Sequence, residues 1–316
     1  MYKIKQIPSD FLVYEKPIYN LKKEGNYTYF WLKKENLTTT ESIKKIALQL
    51  NIPQKWIGYA GNKDKIAITK QIISIKNCNL KKINNIFIKN LSLTLIGKGS
   101  SPISLGDLKE NQFKITVRNL SNKLSKLISS KTPNFYGPQR FSKSNIEIGK
   151  NIVKKNFKKA IELIDNFSVK DYINSNPGDF AGALRTLPLR LRKIYIHAYQ
   201  SHIWNNIVKE YLLSNPIKNE TIPIPGFGST IPNTPIGKII NSILKKENLS
   251  LRDFIIPQMP ELSSEGSERL IFVTPKNFSI AYFTDELNNH KNKAIINFSL
   301  PKSSYATIII DNLFKH

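Results

Sequence analysis

The stretch WIGYAGNKDKIAITKQIISI, residues 56–75, decides how this chain folds and what chemistry it carries. Two glycines near its start mark a loop, and apolar, mostly β-branched residues from Ile66 to Ile75 then alternate with polar ones, which predicts a strand. Asp64 therefore lies in a loop that leads into a strand, and its neighbours are Lys63 and Lys65.

Two interpretations of Asp64 follow from these residues. Cations beside a carboxylate favour its ionised form, and a charged carboxylate in a basic groove can act as a nucleophile or as a general base. A turn aspartate that is merely stabilised by its lysine neighbours has the same local pattern. The stretch itself leaves both interpretations open.

On either side of this stretch, the periodicity predicts a chain that mixes α and β structure. Alternating residues predict two strands within residues 2–35, and the T-x-x-E pattern at 38–41 is a capping box that begins a helix. Two further β-rich passages follow at 92–99 and 113–120. A long helix is predicted from Leu187, because apolar residues recur there at steps of three and four.

The composition points to a polyanionic partner. The 316 residues include 48 Lys and Arg against 23 Asp and Glu, a formal charge of +25. The asymmetry is sharpest between residues 112 and 160, which hold twelve basic residues and one acid, Glu147. Nucleic acid is the natural partner of such a chain.

The cysteine content and the hydropathy pattern exclude several classes of protein. The one cysteine, Cys78, cannot form an intramolecular disulfide or a Cys-rich zinc site. No apolar run has the length of a signal-peptide core or a membrane span. We therefore expect a metal-free, intracellular protein without a membrane association, located in the cytoplasm or, in a eukaryote, in the nucleus. No protein partner can be inferred.

Two further segments gather residues that can carry chemistry. In NFYGPQRF, residues 134–141, aromatic and basic side chains alternate, which suits stacking on an extruded base but also suits an aromatic turn that packs in the core. In IHAYQSHIWNN, residues 196–206, the two histidines are five residues apart and do not share a helix face, so core packing is the better interpretation. Motifs for nucleotide, dinucleotide and metallohydrolase sites are absent.

Taken in order, these segments resemble the TruD family of pseudouridine synthases. The loop AGNKDKIAITKQ is similar to the family signature AG-x-KD-x-x-A-x-T-x-Q, and NFYGPQRF is similar to N-[YF]-[YF]-G-x-QRFG. Three more segments match family motifs: KQIPSDFLVYE from Lys5, ALRTLPLRLRKIYIHAYQSHIWN from Ala183, and FSLPKSSYAT from Phe298. The five motifs extend from residue 5 to residue 307.

The resemblance implies an isomerase that converts a uridine of RNA to pseudouridine without a cofactor or a metal. The expected substrate is tRNA, at uridine 13. The family's catalytic aspartate corresponds to Asp64, its cation that pairs with the aspartate to Lys5, and its aromatic that stacks on the target base to Tyr136. Phe11 would line the pocket, and Asn134 would shape the loop that carries the aromatic.

Two positions depart from the family motifs. Ser142 follows QRF where the family has glycine, and Ser303 replaces the glycine of the closing motif. Neither is expected to touch the reacting groups, but either loop could follow a modified path.

The resemblance also implies an α+β fold: a pseudouridine-synthase core with a mixed, mainly antiparallel sheet, interrupted by an inserted α/β domain. We expect the core at residues 1–158 and 268–316 and the insertion at 159–267. The alternative is a catalytically silent RNA-binding or chaperone protein on the same scaffold. A nuclease is disfavoured, because clustered carboxylates for two metal ions are missing from the sequence.

Overall fold

A computed structural model of the chain describes residues 1–122, 131–142, 144–214 and 218–314, and the chain divides into two compact units. The first unit consists of Met1–Lys131 and Thr274–His316, and the second consists of Thr132–Val273. The second unit thus interrupts the first. Residues 132–158 and 268–273, which were expected in the core, belong to the second unit.

The strands and helices are numbered in chain order. The strands are β1 (Phe11–Pro17), β2 (Tyr27–Glu35), β3 (Ile57–Tyr59), β4 (Ile68–Lys76), β5 (Leu91–Gly99), β6 (Leu108–Leu120), β7 (Thr132–Pro133), β8 (Thr221–Ile224), β9 (Ser267–Leu270), β10 (Phe272–Val273), β11 (Lys276–Thr284) and β12 (Asn292–Pro301). The helices are α1 (Thr39–Leu50), α2 (Leu80–Asn84), α3 (Asn145–Val153), α4 (Phe157–Glu162), α5 (Phe167–Ser175), α6 (Phe180–Arg185), α7 (Leu189–Ser214), α8 (Pro235–Lys246) and α9 (Ala306–Phe314). None of the helices in the described ranges is long and apolar enough to cross a membrane.

One large sheet forms the centre of the first unit. Its strand order is β11-β12-β6-β1-β4-β2-β5, and β3 pairs with the far end of β4. The pairing of β1 with β4 is parallel, and all other pairs in this sheet are antiparallel. The expected mixed, mainly antiparallel sheet is confirmed.

Helix α1 covers one end of this sheet. It begins at the capping box that the sequence predicts: Thr38 accepts a hydrogen bond from the backbone N–H of Glu41, whose carboxylate accepts one from the backbone N–H of Thr38. The helix packs its buried face, which includes Ile43 and Ile46, against alternate residues of β2 and β4. Each buried side chain of this size stabilises the fold by about 1.5–3 kcal/mol.

The second unit is mostly helical and is built around α7. Trp204, Ile207 and Val208 of this helix are fully buried, in a core to which α3 and α8 also contribute. Two short antiparallel pairs, β7 with β10 and β8 with β9, complete the described part of the unit. The long helix predicted from Leu187 is present and begins at Leu189.

Ser303 occupies a glycine-like backbone conformation after β12. Its φ is 68°, in the left-handed region that glycine adopts without steric cost. The serine that departs from the family motif therefore keeps the backbone path that a glycine would allow.

Arg118 joins segments of the first unit that are far apart in sequence. Its guanidinium donates to Asp10 (2.8 Å), Asp285 (2.7 Å) and Glu286 (3.1 Å), and its side chain is only 4% exposed. Its backbone exchanges two hydrogen bonds with Lys3. One side chain on β6 thus binds the N-terminal segment and the turn between β11 and β12.

Replacing Arg118 by methionine should be strongly destabilising. The substitution leaves two buried carboxylates without their cation, and breaking a buried ion pair from one side costs about 3–5 kcal/mol. The free energy of unfolding, measured by urea denaturation, should fall by that amount. Lys170→Ala, which breaks the exposed pair with Asp165, is the control and should change it little. Equal stability of the two variants would contradict the prediction.

The same network predicts a pH dependence. Burial by itself would raise the pKa of Asp285, but hydrogen bonds from the backbone of Asn119 and Leu287 and from Asn288 and Arg118 lower it from 3.8 to about 2. A carboxyl group with a depressed folded-state pKa stabilises the fold above its unfolded pKa, and this contribution is lost as the pH falls through the folded pKa. We expect about 2 kcal/mol to be lost between about pH 4 and pH 2. The effect of Arg118→Met should shrink over the same range.

Candidate active site

Asp64 forms an ion pair with Lys5 in the first unit. Lys5 Nζ lies 2.9 Å from Asp64 Oδ2, and the two side chains are 19% and 33% exposed. Among the described residues, Lys5 is the one side chain that bonds this carboxylate. The pair is therefore partly shielded from water, and no described residue is hydrogen-bonded to Asp64 Oδ1.

The ring of Phe11 contacts the ammonium group of Lys5. Lys5 Nζ lies 4.2 Å from the centre of the Phe11 ring, which is a cation–π distance, and Phe11 is only 2% exposed. Three of the residues singled out in the sequence thus come together: Lys5, Phe11 and Asp64. They are 59 residues apart at most, and the sheet of the first unit brings them into contact.

The loop that carries Asp64 is held by buried polar side chains from two neighbouring strands. Lys34 on β2 is fully buried and donates to the backbone carbonyl of Asp64 (2.9 Å) and to that of Leu37 (2.5 Å). Gln71 on β4 donates to the carbonyl of Gly61 (2.9 Å), and its own carbonyl accepts from Thr39 at the start of α1. The backbone of the loop is therefore fixed directly at Asp64 and three residues before it.

A third strand holds the loop through an ion pair. Lys63, next to Asp64, lies 2.5 Å from the carboxylate of Glu15 on β1, and both side chains are almost fully buried. The other Glu15 oxygen accepts from the backbone N–H of Ile72. Burial raises the pKa of Glu15 in spite of the opposing effects of Lys63 and Ile72. Burial likewise lowers the pKa of Lys34 to about 8, against the attraction of Asp64.

Tyr136 and Asn134 lie together in the second unit, on the segment between β7 and α3. The backbone N–H of Tyr136 donates to Asn205 Oδ1 (2.9 Å), and Asn205 Nδ2 donates back to the Tyr136 carbonyl (3.0 Å). The Tyr136 ring meets Trp204 edge-on, with ring centres 5.7 Å apart. Helix α7 therefore fixes both the backbone and the ring of Tyr136.

Arg269 on β9 links Asn134 to Tyr136. Its guanidinium donates to the carbonyl of Asn134 (2.7 Å) and to Asn134 Oδ1 (2.9 Å), and it lies 4.1 Å from the centre of the Tyr136 ring. Arg140 lies farther from the same ring, at 5.7 Å. The aromatic of this segment thus sits among cations, as a site for an anionic polymer requires.

Several of these supporting residues were not predicted from the sequence. Lys34 could have been found, because it occupies a core position in the alternation of β2. Asn205 lies in the segment that we interpreted as core packing. Trp204 is indeed buried in the core, but its neighbour Asn205 binds the backbone of Tyr136. Arg269 lies in a short strand without any motif. No three histidine, cysteine or acidic side chains among the described residues form a group that could hold a metal ion.

Lys5 is held in a strained backbone conformation. Its φ of 56° lies in the left-handed region, which costs a residue with a Cβ about 1–2 kcal/mol. Such strain is typical of functional sites, where the surrounding structure imposes it. Here the hydrogen bonds between Lys3 and Arg118 anchor the segment two residues before Lys5.

Lys5→Gly should therefore be more stable than Lys5→Ala by about 1 kcal/mol, because both lose the ion pair and only glycine relieves the strain. Urea denaturation of the two variants measures the difference. The same two substitutions at Lys114, an exposed position within β6, are the control and should give the opposite sign. Equal stability of the two Lys5 variants would show that the backbone there is not strained.

Comparison with known proteins agrees with the resemblance that the motifs carry. Residues 2–171, 166–220 and 217–313 match the family model described as tRNA pseudouridine synthase D (TruD). Proteins from Methanococcoides burtonii and Methanosarcina acetivorans, both assigned as tRNA pseudouridine synthase D, are each 30% identical over 410 aligned residues. The alignments cover 99% of this chain and 93% and 92% of the relatives.

A solved structure extends the similarity to the fold. The crystal structure of the protein assigned as tRNA pseudouridine synthase D in Methanosarcina mazei superimposes with a TM-score of 0.75 at 27% identity. It is covered over 93% of its length, and this chain over 99%. The 410 aligned positions exceed the 316 residues of this chain, so the relatives carry insertions that it lacks. Since the family model and the full-length relatives agree along nearly the whole sequence, the chain belongs to the TruD family of tRNA pseudouridine synthases, isomerases that act on RNA.

Proposed function

We propose that this protein isomerises uridine 13 of tRNA to pseudouridine, with Asp64 as its catalytic carboxylate. The observation that carries the proposal is the ion pair of Asp64 with Lys5, which engages Oδ2 of a partly exposed carboxylate while no described residue is hydrogen-bonded to Oδ1. The reaction breaks the bond between C1′ and N1 of the target nucleotide and forms a bond between C1′ and C5. C5 loses its proton to solvent and N1 gains one from solvent, so the product is an isomer of the substrate and no cofactor is consumed.

The geometry around Asp64 supports this role. A carboxylate can release uracil by adding to C1′ or by removing the proton from C2′, and both routes begin at an oxygen that is not engaged by a cation. The hydrogen bond from Lys5 Nζ to Asp64 Oδ2 fixes the orientation of the carboxylate. The hydrogen bond from Lys34 to the Asp64 carbonyl holds the backbone of the same residue, so little reorganisation is needed when substrate binds.

Tyr136 is proposed to stack on the target base. Enzymes that act on a base must first draw the nucleotide out of its stack, and an aromatic ring stabilises the extruded base. Arg269 and Asn205 hold the ring and its backbone in place, which lowers the entropic cost of stacking. We assign Asn134 a supporting role, because it binds Arg269 and so positions the Tyr136 segment.

The first experiment compares wild type with Asp64→Asn on an unmodified tRNA transcript in the presence of EDTA. Carbodiimide labelling followed by reverse transcription should give a stop at uridine 13 with wild type only. The rate constant should fall by a factor on the order of 10⁴ or more, because the reacting group is lost. RNA affinity should change less than about two-fold, because no phosphate contact is removed.

Asp165→Asn is the matched control: it is a substitution of the same type at an exposed site just before α5, and it should retain activity. Appreciable turnover by Asp64→Asn would overturn the assignment of the carboxylate. Binding of RNA by wild type without any stop in tRNA or total cellular RNA would favour the silent RNA-binding protein. Loss of activity in EDTA that one added metal restores would contradict the cofactor-free reaction.

Tyr136→Ala and Tyr136→Phe test the stacking role. Stacking of a base on an aromatic side chain is worth about 1–3 kcal/mol, which corresponds to a decrease of about 5- to 160-fold in single-turnover rate when the ring is removed. The phenylalanine variant keeps the ring and should stay close to wild type. If the two variants react at the same rate, the ring does not stack on the base.

A further inference from the structure

We infer that the sheet of the first unit has a second RNA-contact surface, on the face opposite Asp64, that binds a single-stranded stretch of substrate RNA outside the target nucleotide. We call it the distal face. It is defined by six side chains on four adjacent strands: Tyr14, Trp31, Lys33, Lys70, Ser92 and Thr94. The inference rests on the proposed RNA substrate but concerns residues that the catalytic site does not use.

The strand pairing shows that these side chains share a face. Tyr14 pairs with Lys70, Lys70 with Lys33, and Lys33 with Ser92, which forms one row across β1, β4, β2 and β5. Trp31 pairs with Thr94 in the neighbouring row. Residues that are directly opposite on neighbouring strands project to the same side of a sheet.

The Asp64 loop is bound to the other face. Lys34 and Gln71 both contact the Asp64 loop, so their side chains project to that face. Neighbours in sequence project to opposite sides of a strand, so Lys33 and Lys70 project to the distal face. The exposure agrees with this alternation: Lys34 and Gln71 are fully buried, whereas Lys33 is exposed and Lys70 partly so. The distal face is therefore separated from the catalytic carboxylate by the sheet itself.

The distal face has the composition of a surface that binds single-stranded nucleic acid. Lys70 Nζ lies 4.9 Å from the centre of the Trp31 ring, which places a cation beside a partly exposed aromatic. Tyr14 adds a second ring that is 42% exposed. A strip that combines lysines for phosphates with aromatics for unstacked bases matches the way proteins bind RNA single strands.

The shape and the charge of the face also favour a polyanion. The groove on this face, which Ile68 and Thr69 also line, has a volume of about 260 Å³, below the roughly 300–1,000 Å³ of pockets that enclose a small ligand. Exposed Lys114 on β6 extends the positive charge along the sheet. Of the acids on this side, Glu110 is paired with Lys16 (2.6 Å), and Glu35 lies at the end of β2. The balance is positive.

The test compares the double variant Lys33→Ala/Lys70→Ala with a control of equal charge change, Lys81→Ala/Lys82→Ala on α2. The probe is an unmodified tRNA transcript, and its affinity for the full-length proteins is measured at several KCl concentrations in EDTA. Each lost phosphate contact lowers the slope of log K against log salt by about 0.7–0.9. The magnitude of the slope should therefore be smaller by about 1.4–1.8 in the distal-face variant, and the slope of the control should equal that of wild type.

Crosslinking to transcripts that contain 4-thiouridine provides a second readout that needs no substitution. Crosslinked peptides should include residues 24–33, which carry Trp31. An unchanged salt slope in the distal-face variant, or an equal loss in the control, would overturn the inference. The result is separate from the proposed function: absence of pseudouridine with wild type refutes the reaction, whereas affinity and crosslinks report on the surface alone.

Discussion

The two-residue period of strands β1, β2 and β4 is the constraint on which the rest of the first unit depends. Because side chains alternate between faces, Glu15, Lys34 and Gln71 all reach the loop that carries Asp64. Their neighbours project to the opposite side. A shift of one residue in the register of any of these strands would exchange the two sets and leave the loop without its supports. The Asp64 carboxylate is thus positioned by strand pairing between residues that lie several positions away in the sequence.

Buried charge is used in this protein to fix geometry. A buried ion pair adds little net stability, because the cost of removing both charges from water offsets their attraction. It does penalise every conformation in which one partner is missing. The pair of Arg118 with Asp10 disfavours displacement of the N-terminal segment, and the pair of Glu15 with Lys63 disfavours displacement of the Asp64 loop. The strained backbone of Lys5 is tolerated because the segment before it is held on Arg118.

The sequence predicted those parts that depend on local pattern. Alternation and the capping box predicted β1, β2, β4 and α1, and the ordered motifs predicted the family and the sheet type, which are confirmed. The supports of the site were harder to predict. Asn205 and Arg269 act through carbonyl groups that only the folded chain brings near them. The division after Lys131 depends on which core residues 132–158 join, and hydrophobic periodicity does not reveal that choice.

The discontinuity of the first unit has a consequence for its biosynthesis. Strand β12 pairs with β6 along most of its length, and the ribosome completes β12 only after it has made the whole second unit. Throughout that interval, the edge of β6 lacks its pairing with β12, and the guanidinium of Arg118 lacks its ion pair with Asp285. An exposed strand edge is a template for wrong pairing. During translation, the second unit can fold on its own contiguous sequence, whereas the unit that carries Asp64 is the last to be completed.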